Sequence, residues 1–157
     1  MTCQLYQITL MNKFNYPKLE RVDTEIGRHY RDSNNNLVPS VTTVLSGTSE
    51  NKSGIEKWKK RVGENEADRI MKQSTEIGTA VHEAIEKFLG NSDWDHFQDT
   101  SDQIMARKMT SKFVDFGLNK ISQVWGLEVG LILDDLYAGT ADCVGIYGNV
   151  PSLIDFK

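Results

Sequence analysis

The feature that most constrains the fold of this chain is a change of pattern near residue 121. Before it, apolar residues recur at three- and four-residue spacing. After it, Val, Ile, Leu and aromatic residues dominate and are broken only by short polar pairs. The first pattern places side chains on one face of a helix, and the second, bounded by turn residues, forms strands. Helices followed by strands bury their apolar faces against one another, with the helices packed on the sheet. The expected class is therefore α/β of the α+β kind, with an N-terminal hairpin and helices packed on a small mixed sheet.

Strands are expected over residues 19–23 and 28–31, followed by the turn-rich Asp32-Ser33-Asn34-Asn35-Asn36. Pro39-Ser40 opens a short helix over residues 41–45 with Ser40 as its N-cap, and residues 47–54 read as a loop. Helices are expected over 55–62 and 64–73, hinged at Gly63, and over 78–89, closed by Gly90 at C′. After a loop over 91–100, residues 101–121 form a long amphipathic helix. Its stripe of Ile104, Met105, Lys108, Met109, Lys112, Phe113 and Phe116 reads as core packing. Strands follow over 124–133, 137–147 and 152–157, separated by Asp134-Asp135 and Gly148-Asn149. Met11 offers a second start, so residues 1–10 are expected to be an extension of little structural role and residues 11–157 a single domain.

Bulk numbers narrow the function. The chain has 157 residues, 39 % of them hydrophobic and 25 % charged, as in one globular domain. No apolar run approaches the roughly 20 residues needed to cross a bilayer, and a secretory pattern is missing after Met1. An intracellular, cytoplasmic address without membrane contact is expected. The two cysteines, Cys3 and Cys143, are too few for a four-cysteine zinc or iron–sulfur site. Cys143 sits in an apolar run and reads as a core residue. The net charge of −4 argues against a surface that grips nucleic acid everywhere, while leaving room for metal-holding carboxylates with a local basic patch.

The segment from Ala138 to Lys157 carries the chemistry. With Gly148-Asn149 as a two-residue turn, Gly first as type II′ prefers, Tyr147 pairs with Val150. Counting back along both strands then brings Asp142 opposite Asp155 on one face. A four-residue loop over 148–151, suggested by Pro151, leaves them diagonal on the same face; a three-residue loop separates them. Facing carboxylates repel and need a cation or a proton between them, and Mg²⁺ takes one or two carboxylates plus phosphate oxygens and water. Lys157, two residues after Asp155, points to the same side, where an ammonium stabilises developing negative charge. A D-x-K triplet alone is more often a surface salt-bridge pattern. Here Leu153, Ile154 and Phe156 surround it, and charges in an apolar strand call for a reason.

Gly139-Thr140-Ala141-Asp142, with Asp155-Phe156-Lys157 thirteen positions later, resembles motifs II and III of RecB-like PD-(D/E)xK nucleases. Gly78-Thr79-Ala80-Val81-His82 resembles their helical G-x-x-x-H motif. Pro39-Ser40-Val41-Thr42-Thr43-Val44-Leu45, and Trp58-Lys59-Lys60-Arg61-Val62-Gly63-Glu64 with Ala67, are similar to the mitochondrial genome maintenance exonuclease family and its bacteriophage relatives. The similarity spans residues 15–157. Each motif alone is weak evidence; four in the family's order are strong.

The resemblance implies a restriction-endonuclease-like core and a Mg²⁺- or Mn²⁺-dependent deoxyribonuclease, an exonuclease acting on single-stranded DNA ends in replication, recombination, repair or phage DNA metabolism. It implies His82, Asp142 and Asp155 as metal ligands and Lys157 as the catalytic lysine. Glu86, one turn after His82, and Glu128, on the preceding strand, are secondary ligand candidates, with surface charge as the ordinary reading. Ser40, Thr42 and Thr43 at a helix start are implied phosphate contacts, against a plain cap. Lys57, Lys59, Lys60 and Arg61 around Trp58 are implied DNA contacts, with the indole stacking on a base. Relatives continue beyond the lysine with more sheet and a Gln/Tyr helix, so the sheet is expected to be incomplete at its C-terminus. An inactive DNA-binding remnant of the same fold and an endonuclease are the alternatives.

Overall fold

The computed structural model describes residues 8–48 and 52–156. In chain order these form β1 (Thr9–Leu10), β2 (Glu20–Thr24), β3 (Gly27–Arg31), β4 (Leu37–Pro39), α1 (Val41–Thr48), α2 (Lys52–Val62), α3 (Glu64–Leu89), α4 (Ser101–Phe116), β5 (Ile121–Leu133), β6 (Tyr137–Tyr147) and β7 (Val150–Ile154). The class is mixed α+β. The larger sheet runs β1-β5-β6-β7 and the smaller β2-β3-β4. β1 lies parallel to β5, and the other ladders are antiparallel. A lone parallel bridge between Ser40 and Ala138 ties the sheets together. No described helix is long and apolar enough to cross a membrane.

The start of the described chain is part of the fold rather than an extension. Ile8 is buried in the main core, β1 pairs with β5, and Asn91 Nδ2 donates to the Ile8 carbonyl at 3.0 Å. An apolar side chain and a sheet edge in need of a partner explain the difference. β4, absent from the expected elements, continues the small sheet after the 32–36 turn. Asp32 organises that turn: its carboxylate accepts from the backbone N–H of Asn34, Asn36 and Asp135. The expected loop over 47–54 is helical in its described parts, because α1 runs to Thr48 and α2 starts at Lys52.

The expected helices over 64–73 and 78–89 are one 26-residue helix, α3. No proline interrupts residues 74–77, and the buried ridge Ala67, Val81, Ala84, Ile85 and Leu89 holds the helix against the core despite Gly78. Gly63, at φ 90°, separates it from α2 as expected of a hinge. At the other end Gly90 has an ordinary φ of −78°, and Asn91 takes the left-handed position at φ 56°. Ser92 N–H donates to Lys87 O and Asn91 N–H to Phe88 O, a Schellman closure one residue later than predicted.

α4 is capped by Thr100, whose side chain accepts from Gln103 N–H, and it stops at Phe116 rather than 121. A single 3-10 turn then leads into β5. Its core side is Ala106 and Thr110, with Phe113 and Val114 packed alongside. Ile104, Met105, Met109 and Phe116 are exposed, so most of the predicted stripe is not core. Small residues at 106 and 110 let α4 approach α3 closely, and the larger side chains turn outward beside Lys108 and Lys112.

β5 carries two β-bulges, each an extra residue against β6, between Ile121 and Gln123 and between Val124 and Gly126. They bring Ile121, Val124 and Leu127 to the same core in spite of their three-residue spacing. Gly145 sits opposite, where a Cβ would overlap the Gln123 carbonyl. The β6–β7 hairpin has the register of the two-residue turn, from Tyr147↔Val150 to Cys143↔Ile154. Both turn residues have positive φ, 54° at Gly148 and 68° at Asn149, which is the signature of type I′ rather than type II′. Pro151 is accommodated because β7 is an edge strand. It falls in a non-hydrogen-bonded pair with Ile146, so its missing N–H faces away from the ladder.

Candidate metal centre

Asp142 lies on β6 at the point where both ladders beside it open. On one side the pairs Leu127↔Cys143 and Val129↔Ala141 bracket it, which sets Glu128 across from it. On the other side β7 stops with Ile154 opposite Cys143, and Asp155 is the first residue beyond its end, so the ladder does not include the expected Asp142–Asp155 pair. Glu128 and Asp142 lie on adjacent strands. Glu128 has φ 47°, the left-handed region, in the middle of a strand. Such a backbone costs about 1–3 kcal/mol and persists where the surroundings impose it, often at functional sites.

α3 supplies the nitrogen ligand. His82 Nε2 lies 2.7 Å from the Phe156 carbonyl oxygen, which can only accept, so Nε2 carries the proton. In the neutral ring the Nδ1 lone pair is then available, and Nδ1 stands 3.8 Å from Asp142 Oδ2. The same Phe156 donates its N–H to Asp142 Oδ2 at 2.8 Å. One backbone unit thus orients both side chains, the kind of outer support that ligands of metal ions commonly have.

His82, Glu128 and Asp142 each offer a ligand atom, all within 4.8 Å of one another. Mg²⁺ or Mn²⁺ at bond lengths of about 2.0–2.2 Å sets opposite ligands about 4 Å apart, so small side-chain rotations close the set. Two carboxylates and one imidazole suit a hard or borderline divalent ion. Electrostatics agree: burial raises the Glu128 carboxyl above its usual range, and the charges of Asp142 and Glu86 raise it further, against an opposing effect of His82. Carboxylates pressed together in this way are relieved by a cation.

An open groove lined by Thr75, Gly78, Thr79, His82, Glu86 and Glu128 leads to this cluster. Gly78 does not serve as a point of close backbone approach. A Cβ there would meet nothing within 4 Å, and its absence widens the groove. Glu86 lines the same groove and contributes charge near Glu128.

Of the residues singled out in the sequence, the structure brings together His82, Asp142 and Glu128, with Glu86 beside them. Asp155 is exposed and shares a second cavity with Asp142, but it is outside the three-residue donor group. Lys157 lies outside the described residues. Ser40 is 2 % exposed, and its hydroxyl accepts from Thr43 N–H and meets the Thr42 and Thr43 hydroxyls at 2.8 Å. Thr43 Oγ1 in turn donates to the Arg28 carbonyl. Ser40 and Thr43 thus serve as cap and fastening, while Thr42 is exposed. On α2, Trp58 is half-buried, Lys59 pairs with Asp68 at 3.4 Å, and Lys57, Lys60 and Arg61 are exposed. Phe156 contributes through its main chain and through a buried ring set edge-on to His82, centroids 6.0 Å apart, and no side-chain pattern signals the main-chain part.

Comparison of the chain with models of known families, with curated proteins and with solved structures finds no match.

Proposed function

We propose that this chain is a metal-dependent phosphodiesterase acting on DNA, an exonuclease of single-stranded ends. The observation that carries the reading is the donor group His82, Glu128 and Asp142, with its imidazole tautomer set by the Phe156 carbonyl. The order of sequence motifs, which resembles that of RecB-like PD-(D/E)xK nucleases, supports it independently.

His82 Nδ1, Glu128 and Asp142 would hold Mg²⁺ or Mn²⁺, with Asp155 next to Asp142. A divalent ion supplies charge neutralisation at a phosphate and a more acidic bound water. The protein's own part is orientation. Phe156 fixes His82 and Asp142, the left-handed backbone at Glu128 aims its carboxylate, and the groove beside Gly78 leaves room for a strand's backbone. Exposed Lys57, Lys60 and Arg61 on α2 supply positive charge for phosphates. Lys157, two residues after Asp155 in the sequence, would be the amine for the developing charge.

The test is cleavage of end-labelled single-stranded DNA by the purified chain in Mg²⁺ and in Mn²⁺, with and without a chelator. Metal-dependent release of nucleotides by the parent and its loss in Asp142→Ala are expected. Equal cleavage by parent and variant sinks the assignment. Salt-sensitive DNA binding that needs no metal and is accompanied by no cleavage points instead to a DNA-binding module.

A further inference from the structure

The groove beside the metal centre changes its charge at His82. Asp68, Thr75, Thr79, His82 and Glu86 follow one another along α3 at intervals of seven, four, three and four residues, which makes them one ridge of the helix. On the N-terminal side of His82 the groove is lined by Thr75, Gly78 and Thr79, all uncharged, and on the C-terminal side by Glu83 and Glu86. Before Thr75 the ridge meets α2. Lys59 Nζ lies 3.4 Å from Asp68, which seats the basic last turn of α2, Lys59, Lys60 and Arg61, at that end.

The two arms also differ in how their charges are compensated. Towards α2, Asp68 is paired with Lys59 and Glu76 with Lys72. Lys60 and Arg61 are exposed there, with no acidic partner among the described residues. On the other arm Glu83 is paired with Lys87 at 2.7 Å. Glu86 is exposed and has no cationic partner among the described residues. It stands one helical turn, about 6 Å, past His82, in the last turn of α3, where unpaired carbonyls make the helix dipole negative.

A polyanion with one phosphate at the metal centre thus meets neutral and then positive surface on one side, and an uncompensated carboxylate on the other. We propose that Glu86 is an electrostatic stop: the strand lies along the Thr75–Thr79 arm, coming from α2, and ends at the metal centre. A terminal nucleoside places nothing charged beyond the scissile phosphate, whereas an internal one carries the next phosphate onto Glu86. The inference rests on the phosphodiesterase reading and names the residue that restricts it to strand ends. In this role Glu86 determines specificity and is not a ligand of the ion.

The probes are an oligothymidylate with hydroxyl ends and a covalently closed circle of the same length, both with cleavage-resistant phosphorothioate linkages and one internal fluorophore. Fluorescence anisotropy in Mn²⁺ reads their binding. The parent should bind the circle about fivefold more weakly, the factor set by about 1 kcal/mol of repulsion between unit charges a few ångströms apart in water. Glu86→Gln should remove that preference and Glu86→Lys should reverse it. Thr75→Glu, which puts a carboxylate on the open arm, should weaken binding of the linear strand about fivefold. With ordinary linkages in Mg²⁺, the parent should leave circles closed and Glu86→Lys should open them. Glu86→Gln should hold Mn²⁺ with the parent's affinity, and a loss of about tenfold or more would make Glu86 a ligand and overturn the stop. Equal binding of circle and linear strand by the parent, an unchanged preference in both Glu86 variants, or undiminished linear binding by Thr75→Glu also overturns it. Those results leave a metal-dependent phosphodiesterase in place. Absence of metal-dependent cleavage of any strand by the parent overturns both.

Discussion

His82 and Phe156, 74 positions apart in the chain, are joined by an Nε2–H···O=C hydrogen bond of 2.7 Å. Through it the last described residue of the chain decides which nitrogen of a helix histidine can act as a ligand. His82→Gln removes Nδ1 and retains an amide donor for the carbonyl. Mn²⁺ affinity measured by calorimetry should fall by at least about tenfold, as losses of support around metal sites do. Unchanged affinity would exclude His82 as a ligand.

Glu128 combines a left-handed backbone with crowding against Asp142 and Glu86. Glu128→Gly removes both penalties, since glycine adopts that φ freely. The variant should melt at the same temperature as the parent or higher, while binding Mn²⁺ more weakly. A clear fall in melting temperature contradicts the idea that this position stores strain for the site.

Gly145 is needed because β5 bulges into the space where its Cβ would be. Gly145→Ala pushes on the Gln123 backbone, which has little freedom to move. Overpacking of this kind costs about 1–3 kcal/mol. Urea unfolding should report a loss in that range, and a neutral outcome would mean that the bulge relaxes easily.

Asp32 holds its turn as an anion. Burial acts to raise its pKa, but the backbone donors of Asn36, Asp135 and Asn34 outweigh this, and the carboxyl ends below its ordinary value. A depressed folded pKa contributes stability above the unfolded pKa that is lost as pH falls through the folded one. The melting temperature of Asp32→Ala should therefore lie below the parent's at neutral pH. The gap should narrow as pH drops below about 4, the ordinary aspartate range. A gap independent of pH would assign the effect to packing alone.

Much of the fold was legible because it is written locally. Gly148-Asn149 selects a two-residue turn, and that turn alone sets the register of β7, from Tyr147↔Val150 to Cys143↔Ile154. Gly63 marks a break that only glycine fits well. The outer face of α4 was misread, although Lys108 and Lys112 stand within the stripe and small Ala106 and Thr110 mark the closer-packed side. Glu128 was harder to place: its alignment with Asp142 depends on the 134–136 turn, while its aim depends on an unusual φ. Phe156 acts through main-chain atoms, and Ile8 and β1 find their places by contacts far along the sequence. Such relations exist only once the sheet has closed.

The two extra residues of β5 also determine where this chain tolerates a change of length. Losing Ser122, the exposed unpaired residue of the first bulge, lets the strands zip up with every flanking partner kept. Trp125, the unpaired residue of the second bulge, is buried, with Lys13 Nζ 3.7 Å from its ring centroid and the Phe14 ring set edge-on to it, so its loss empties a packed position. Of two kinks built alike, then, one is an insertion the sheet can spare and the other is a fixture of the packing.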